Sequence, residues 1–438
     1  MKEQFYGLAG RLEKSLEGGE TLLCNLSAER SDFVRFNKAL VRQAGSVEQS
    51  YLSLRLLRDR RQASATVALA RDGDDASVCT RALGRLRDAL ADLPEDPWLL
   101  INEKPQSTNT ERHGSVPPAQ EVVEQTLRFA QGRDLVGFYA GGTICRGFAN
   151  SLGQRNWHEV DNFNFDWCLY RQADQAVKTS YAGFGWSPVD FAARMRRASE
   201  QVELLSLPLR KIEPGEYRAY LAPRALEDIM YMLTWGGFSA RARQTKQSPL
   251  LRMQEGRTLA PQVTLSENTG EGVAPAFQAE GFIKPPVVTL ISGGRLADAL
   301  ASPRSAKEYQ LVTNGAGANE GPESMDLAPG ALAESDVLKA LGTGLYISNL
   351  WYLNFSDRPA GRITGMTRFA TFWVENGSIV APVTPMRFDD SVYRILGESL
   401  VDFTRERELL PDTSTYVERQ TGSARLPGAL LSALRFTL

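Results

Sequence analysis

The chain has 438 residues, too many for one ordinary hydrophobic core, so two or three domains are expected. A hydrophobic fraction of 42% beside 23% charged residues is that of a globular protein, and no apolar run approaches the roughly 20 residues of a membrane helix. The formal net charge of −2 supplies no global basic field, which argues against direct nucleic-acid binding. Four widely spaced cysteines without a C-x-x-C, and an N-terminus without the apolar core of a secretory signal, read as a cytoplasmic protein with reduced thiols.

In chain order, Phe5, Leu8, Leu12 and Leu16 mark one face of an amphipathic helix. Residues 21–70 read as a β-meander of strands at 21–26, 32–36, 39–45, 47–57 and 62–70. A turn and N-cap at 72–75 precede a helix with Val78, Ala82, Leu86, Ala89 and Leu93 on its stripe, stopped at Pro94. Residues 104–118 read as a loop, and 118–132 as a short helix with Val122, Leu127 and Phe129 facing the core. Strands follow at 134–140, 145–150 and 162–170, with Gly141-Gly142 expected to turn the chain. Ser187-Pro188 is a helix start, a capping hydroxyl before a proline at the first helical position.

Beyond a boundary at 207–215, a strand at 215–221 leads into a helix at 223–235, ended by Gly236-Gly237. Residues 267–275 and 313–329 read as surface loops, and 287–292 and 308–312 as strands. Asn376-Gly377 between apolar runs is the strongest hairpin signal, because this pair tolerates the positive φ angles of a type I′ turn. The expected class is α+β: an N-terminal antiparallel sheet with helices on one side, and a mainly β C-terminal domain. The expected domains are residues 1–207, with a middle subregion from about 119, and residues 208–438.

Three ordered segments carry a resemblance. They are WYLNFSDRPAGRITGMTRFATFWVENGSI from Trp351 to Ile379, Ser31–Asn37 with Val41–Gly45, and Asn150-Ser151-Leu152-Gly153. Together they are similar to the TldD/PmbA proteins, first labelled modulators of DNA gyrase and regarded as a peptidase family. The resemblance implies a peptide-processing system in which one subunit carries zinc and its partner does not. Catalytic members carry H-E-x-x-x-H on the helix that opens the C-terminal domain, with a cysteine ligand nearer the C-terminus.

The corresponding helix here reads PRALEDIMYMLTW, with Met230, Tyr231 and Trp235 in the degenerate motif region and no histidine. The only histidines are His113 and His158, and no cysteine follows Cys168, so the second half offers zinc neither imidazole nor thiolate. His158-Glu159 lacks the spacing of a zinc motif, and a dyad of His158 with Cys145 or Cys168 is less expected than buried thiols. Glu227-Asp228 and Asp389-Asp390 suit solvated positions. No catalytic residue, metal ligand or cofactor is therefore assigned to this chain, and zinc is expected only on a partner.

The resemblance makes the chain a PmbA-like (TldE-like) subunit. Its implied partners are a zinc-bearing TldD-like homologue or a second copy, and an extended or unfolded peptide. Two alternatives stand beside it: a free-standing homodimeric peptide-binding protein, and a hydrolase with non-zinc chemistry. Peptide anchors are sought at Asn354, Asp357, Arg358 and Arg362, with Trp351, Tyr352 and Trp373 as apolar walls. The helix at 223–235 is expected to fill any vestigial cavity with its apolar side chains.

Overall fold

The computed structural model describes residues 1–70 and 74–437. Its first half runs α1 (Lys2–Glu13), β1 (Thr21–Asn37), β2 (Leu40–Arg58), β3 (Arg61–Ala68), α2 (Asp75–Leu90), β4 (Thr108–Arg112), α3 (Ala119–Ala130), β5 (Asp134–Asn150), β6 (Arg155–Gln172), β7 (Gln175–Gly183) and α4 (Pro188–Leu204). The seven strands form one sheet in the order β3-β2-β1-β5-β6-β4, with β7 also on β6. All pairings are antiparallel except β4 with β6. Phe5 and Leu8 of α1 and Leu83 and Leu86 of α2 pack on Leu26, Leu54 and Trp157. Phe191 and Met195 of α4 pack with Val122 of α3 on Phe163, Phe165 and Trp167.

Several expectations are corrected by long-range pairing. The five strands expected in 21–70 are three, because β1 and β2 run unbroken through their polar middles. β1 is central, hydrogen-bonded on both edges, so buried Glu29 and Ser31 are tolerated where Ser31 and Gln49 donate to the Glu29 carboxylate. Gly141-Gly142 does not turn the chain; both lie inside β5. A Cβ at Gly141 would stand 2.1 Å from the Tyr139 hydroxyl, and one at Gly142 2.2 Å from the Arg30 carbonyl. The 104–118 loop contains β4. The turn expected at 72–75 lies partly outside the described residues; within them, Asp74 accepts from Ser77 N and caps α2. The buried stripe of α2 is Cys79, Ala82, Leu83, Leu86 and Leu90, rotated from the predicted one, and leaves Ala89 and Leu93 exposed.

The second half runs β8 (Gly215–Leu221), α5 (Pro223–Thr234), α6 (Ala240–Gln244), α7 (Leu251–Gln254), β9 (Leu265–Asn268), β10 (Val287–Ser292), β11 (Arg295–Leu296), α8 (Pro303–Tyr309), β12 (Ser324–Leu327), α9 (Val337–Leu341), β13 (Gly344–Asp357), β14 (Arg362–Glu375), β15 (Ser378–Pro382), β16 (Arg387–Ser391), β17 (Leu400–Pro411) and β18 (Ser423–Phe436). Its eleven strands form a mixed sheet, β11-β10-β9-β12-β18-β16-β14-β13-β8, with β15 on β14 and β17 on β18. β18 also pairs with β8, which closes β8, β13, β14, β16 and β18 into a ring. The Asn376-Gly377 hairpin joins β14 to β15 with φ of 50° and 79°.

The loops expected at 267–275 and 313–329 contribute strand residues to β9 and β12. The strand expected at 308–312 is instead the last two residues of α8 followed by a left-handed cap at Gln310 and irregular chain. α8 is started by Ser302, which accepts from Ser305 N, and by Pro303 at the first helical position. α5 lies against β13 and β18 and buries Ala225 and five larger apolar side chains, the five each worth roughly 1.5–3 kcal/mol.

Candidate functional site

The 3.6-residue period divides α5 into two faces. Ala225, Leu226, Ile229, Met230, Met232 and Leu233 enter the core. Arg224, Glu227, Asp228, Tyr231, Thr234 and Trp235 face a cavity of about 1120 Å³. The expectation of a filled cavity is therefore corrected: Ile229, Met232 and Leu233 point into the core, and Met230, Tyr231 and Trp235 line the space without filling it. α5 stops beside the cavity because Gly236 adopts φ 88°, letting Gly237 N donate to the Leu233 carbonyl at 2.9 Å.

The cavity lies where the halves meet. Lys178 of β7 forms part of one wall, and the connection between β17 and β18, with Asp412, Gln420 and Gly422, forms another. That connection is tied to the first sheet by Arg419, which is 3% exposed. Its guanidinium donates to the main-chain oxygens of Gly142 and Asn162 at 3.3 and 3.1 Å, and to the Asn162 side chain. Arg224 completes the junction, ion-paired to Glu227 at 2.5 Å and to Asp166 of β6 at 3.2 Å.

Burial controls the electrostatics here. It pushes Glu227 up to about 7 against the opposing pull of Arg224, and Asp228 up to about 6 although Asp228 accepts from Leu350 N. Glu227 and Asp228 are therefore not the solvated pair expected from sequence. Nor is Asp390, which is 1% exposed and accepts from Ser391 N and Arg435 N.

Of the residues singled out as peptide anchors, Arg358 lines the cavity. Its guanidinium donates to the carbonyls of Trp235 and Gln247, placing a cation at the C-terminal end of α5. Arg362 is paired with Asp389 at 2.5 Å. Asp357 accepts from Ala360 N, and the Asn354 side chain from Phe355 N; both hold the β13–β14 connection. Trp351 and Tyr352 are 49% and 82% exposed outside the cavity wall; Arg368 stacks over the Trp351 ring, and Tyr352 has φ 58° at a β-bulge. Trp373 stands apart from them, edge-on to Tyr217 and under Arg210. Lys178, Arg224 and the 411–424 segment were missed as site residues. A helical wheel of 223–235 would have found Arg224; the other two depend on how the halves dock.

The donor set does not fit zinc. Glu227 and Asp228 are the ionisable acids that α5 brings to the cavity, and among the described residues no group of three or more His, Cys, Asp or Glu is placed to hold a metal. His158 is buried, donates through Nε2 to the Val273 carbonyl at 3.0 Å, and is held down to about 4 by burial. Cys145 pairs across the sheet with Glu159 and so faces away from His158; Cys168 lies ten residues along β6, about 33 Å away. Neither makes a dyad with it.

A sequence profile described as the PmbA/TldA metallopeptidase C-terminal domain matches residues 214–438. No curated protein matches the chain. Among solved structures, TldE from Thermococcus kodakarensis is similar, with a TM-score of 0.80 and 15% identity over 99% of each chain. A protein described as a candidate modulator of a DNA gyrase from Thermotoga maritima has a TM-score of 0.77 and 16% identity over 100% of both chains. A likewise described protein from Bacteroides thetaiotaomicron has a TM-score of 0.77 and 16% identity, over 100% of this chain and 98% of its own.

Proposed function

Because the chain belongs to the TldD/PmbA family, we propose that it is a zinc-free subunit that binds extended peptide and works beside a zinc-bearing homologue. One observation carries this reading. The helix that would present zinc ligands in a catalytic relative turns Arg224, Glu227, Asp228, Tyr231, Thr234 and Trp235 toward an open cavity, with no imidazole or thiol among them. A space of about 1120 Å³ with apolar and polar walls suits a ligand of several residues. Hydrolysis by the carboxyls alone has less support, since Glu227 is engaged by Arg224. No described helix is long and apolar enough to cross a membrane; a cytoplasmic location is part of the proposal.

The test is cleavage of unfolded peptide by this protein, by a zinc-bearing homologue and by their mixture, each with and without chelator. Metal analysis of each purified chain accompanies it. The expected result is chelator-sensitive cleavage that rises on mixing, with zinc on the homologue alone. Chelator-resistant cleavage by this chain by itself would overturn the assignment. Peptide binding without association with any homologue would favour the free-standing binder.

A further inference from the structure

The charges around the cavity do not balance locally. Arg224 is taken up by Glu227 and Asp166, and Glu323 by the Lys284 ammonium at 2.6 Å. Lys178 is different. Among the described residues its ammonium forms no ion pair or hydrogen bond; it lies 5.9 Å from the centroid of the Phe369 ring and feels the field of Asp228. A half-buried ammonium has three donors to satisfy, and an acceptor entering the cavity would meet them.

Sheet register gives Lys178 its place. It pairs with Cys168, two residues from the Ser180–Asp166 pair, and Asp166 is the residue that holds Arg224. The base of Lys178 is therefore about 7 Å along the strand from the bridge between the halves. From Asp228, near Lys178, to Trp235 at the end of α5 is about 10 Å of helix, the span of about three extended residues. Along that span Tyr231 and Trp235 form an edge-to-face pair at 5.8 Å and are 58% and 43% exposed.

We propose that the cavity receives the C-terminal end of a peptide, its free carboxylate on Lys178 and an apolar or aromatic side chain against Tyr231 and Trp235. This deepens the peptide-binding reading above and rests on it. A carboxylate suits one unpaired ammonium, and the neighbouring Arg224 is already engaged. The other cations of the wall, Arg241 of α6 and Arg358 at the C-terminal end of α5, belong to the end of the cavity away from Asp228, whereas a phosphate would call for free cations beside Lys178. The aromatic pair offers a rigid apolar shelf at low conformational cost.

The experiment is fluorescence anisotropy of the purified full-length chain with a fluorescein-labelled hexapeptide, five alanines followed by phenylalanine, made as the free acid and as the amide. The acid should bind about tenfold more tightly than the amide, the effect of one charge-assisted hydrogen bond. Lys178→Met should erase that preference, and Tyr231→Ala should weaken both forms together. Equal binding of acid and amide by the unmodified chain needs no variant to interpret: it overturns the carboxylate assignment and leaves peptide binding standing. A folded Lys178→Met chain that keeps the preference also overturns it. Binding of neither peptide sinks both readings.

Discussion

The two halves of the molecule divide reactive residues and open space between them. The first half holds all four cysteines and both histidines; the cysteines and His158 are packed into the fold, and His113 is exposed beside Glu111 and Asp161 at 3.8 and 3.6 Å. Burial raises Cys24, Cys79, Cys145 and Cys168 toward the neutral thiol, and His158 is kept uncharged. The second half supplies most of the cavity but neither residue type. Reactive side chains and the cavity therefore lie in different halves of the chain. The same comparison shows that the cavity depends on docking, because Lys178, Asp166 and Arg419 reach it or frame it across the junction.

Removing the Arg419 guanidinium attacks that junction most directly. Arg419→Met leaves the oxygens of Gly142 and Asn162 without this donor and Glu29 with Arg146 but without one of its nearby cations, at a cost of about 3–5 kcal/mol. Denaturant unfolding measures it, and an unchanged midpoint would show that the 411–424 segment does not hold the halves together.

His158 tests the same seam through pH. Its folded pKa of about 4 lies below the ordinary 6.5, so the unfolded chain binds the extra proton between those values. Stability is therefore full above pH 6.5 and falls as pH drops toward 4, by about 2–3 kcal/mol from this residue. His158→Gln, which retains a donor for Val273, should flatten that part of the pH profile of unfolding free energy. If native and variant profiles have the same slope over this interval, the ring is not buried at the junction.

The smallest expected effect lies wholly within the second half. Gly377→Val places a β-branched residue at φ 79°, with its Cβ 3.3 Å from Lys339 Cα, and should cost about 1–3 kcal/mol. Thermal melts decide it. A midpoint equal to that of the native chain would mean that the β14–β15 turn relaxes out of the type I′ conformation.

The Gly377 turn was legible in the sequence because Asn-Gly pays little for positive φ. The turns between β1 and β2 and between β2 and β3 were not. Lys38-Ala39 and Asp59-Arg60 also adopt positive φ, of 51° and 55° and of 49° and 61°, with no glycine to announce them. There the long ladders on either side impose the turn, and their many hydrogen bonds outweigh a local cost of about 1–2 kcal/mol per residue.

By itself, the sequence determined the α+β class, the Ser187-Pro188 helix start, α5 and its stop at Gly236, and the absence of histidine and cysteine from the second half. These follow from local chemistry: capping, φ preference, periodicity and donor type. Only the tertiary structure decided that Gly141-Gly142 runs straight through β5, that the polar-aromatic face of α5 borders open space, and that Lys178 comes to that space from the other half. Those outcomes depend on pairings between residues far apart in the chain. A hydrogen bond across a sheet, or an ammonium left without a partner, exists only once two distant segments have met.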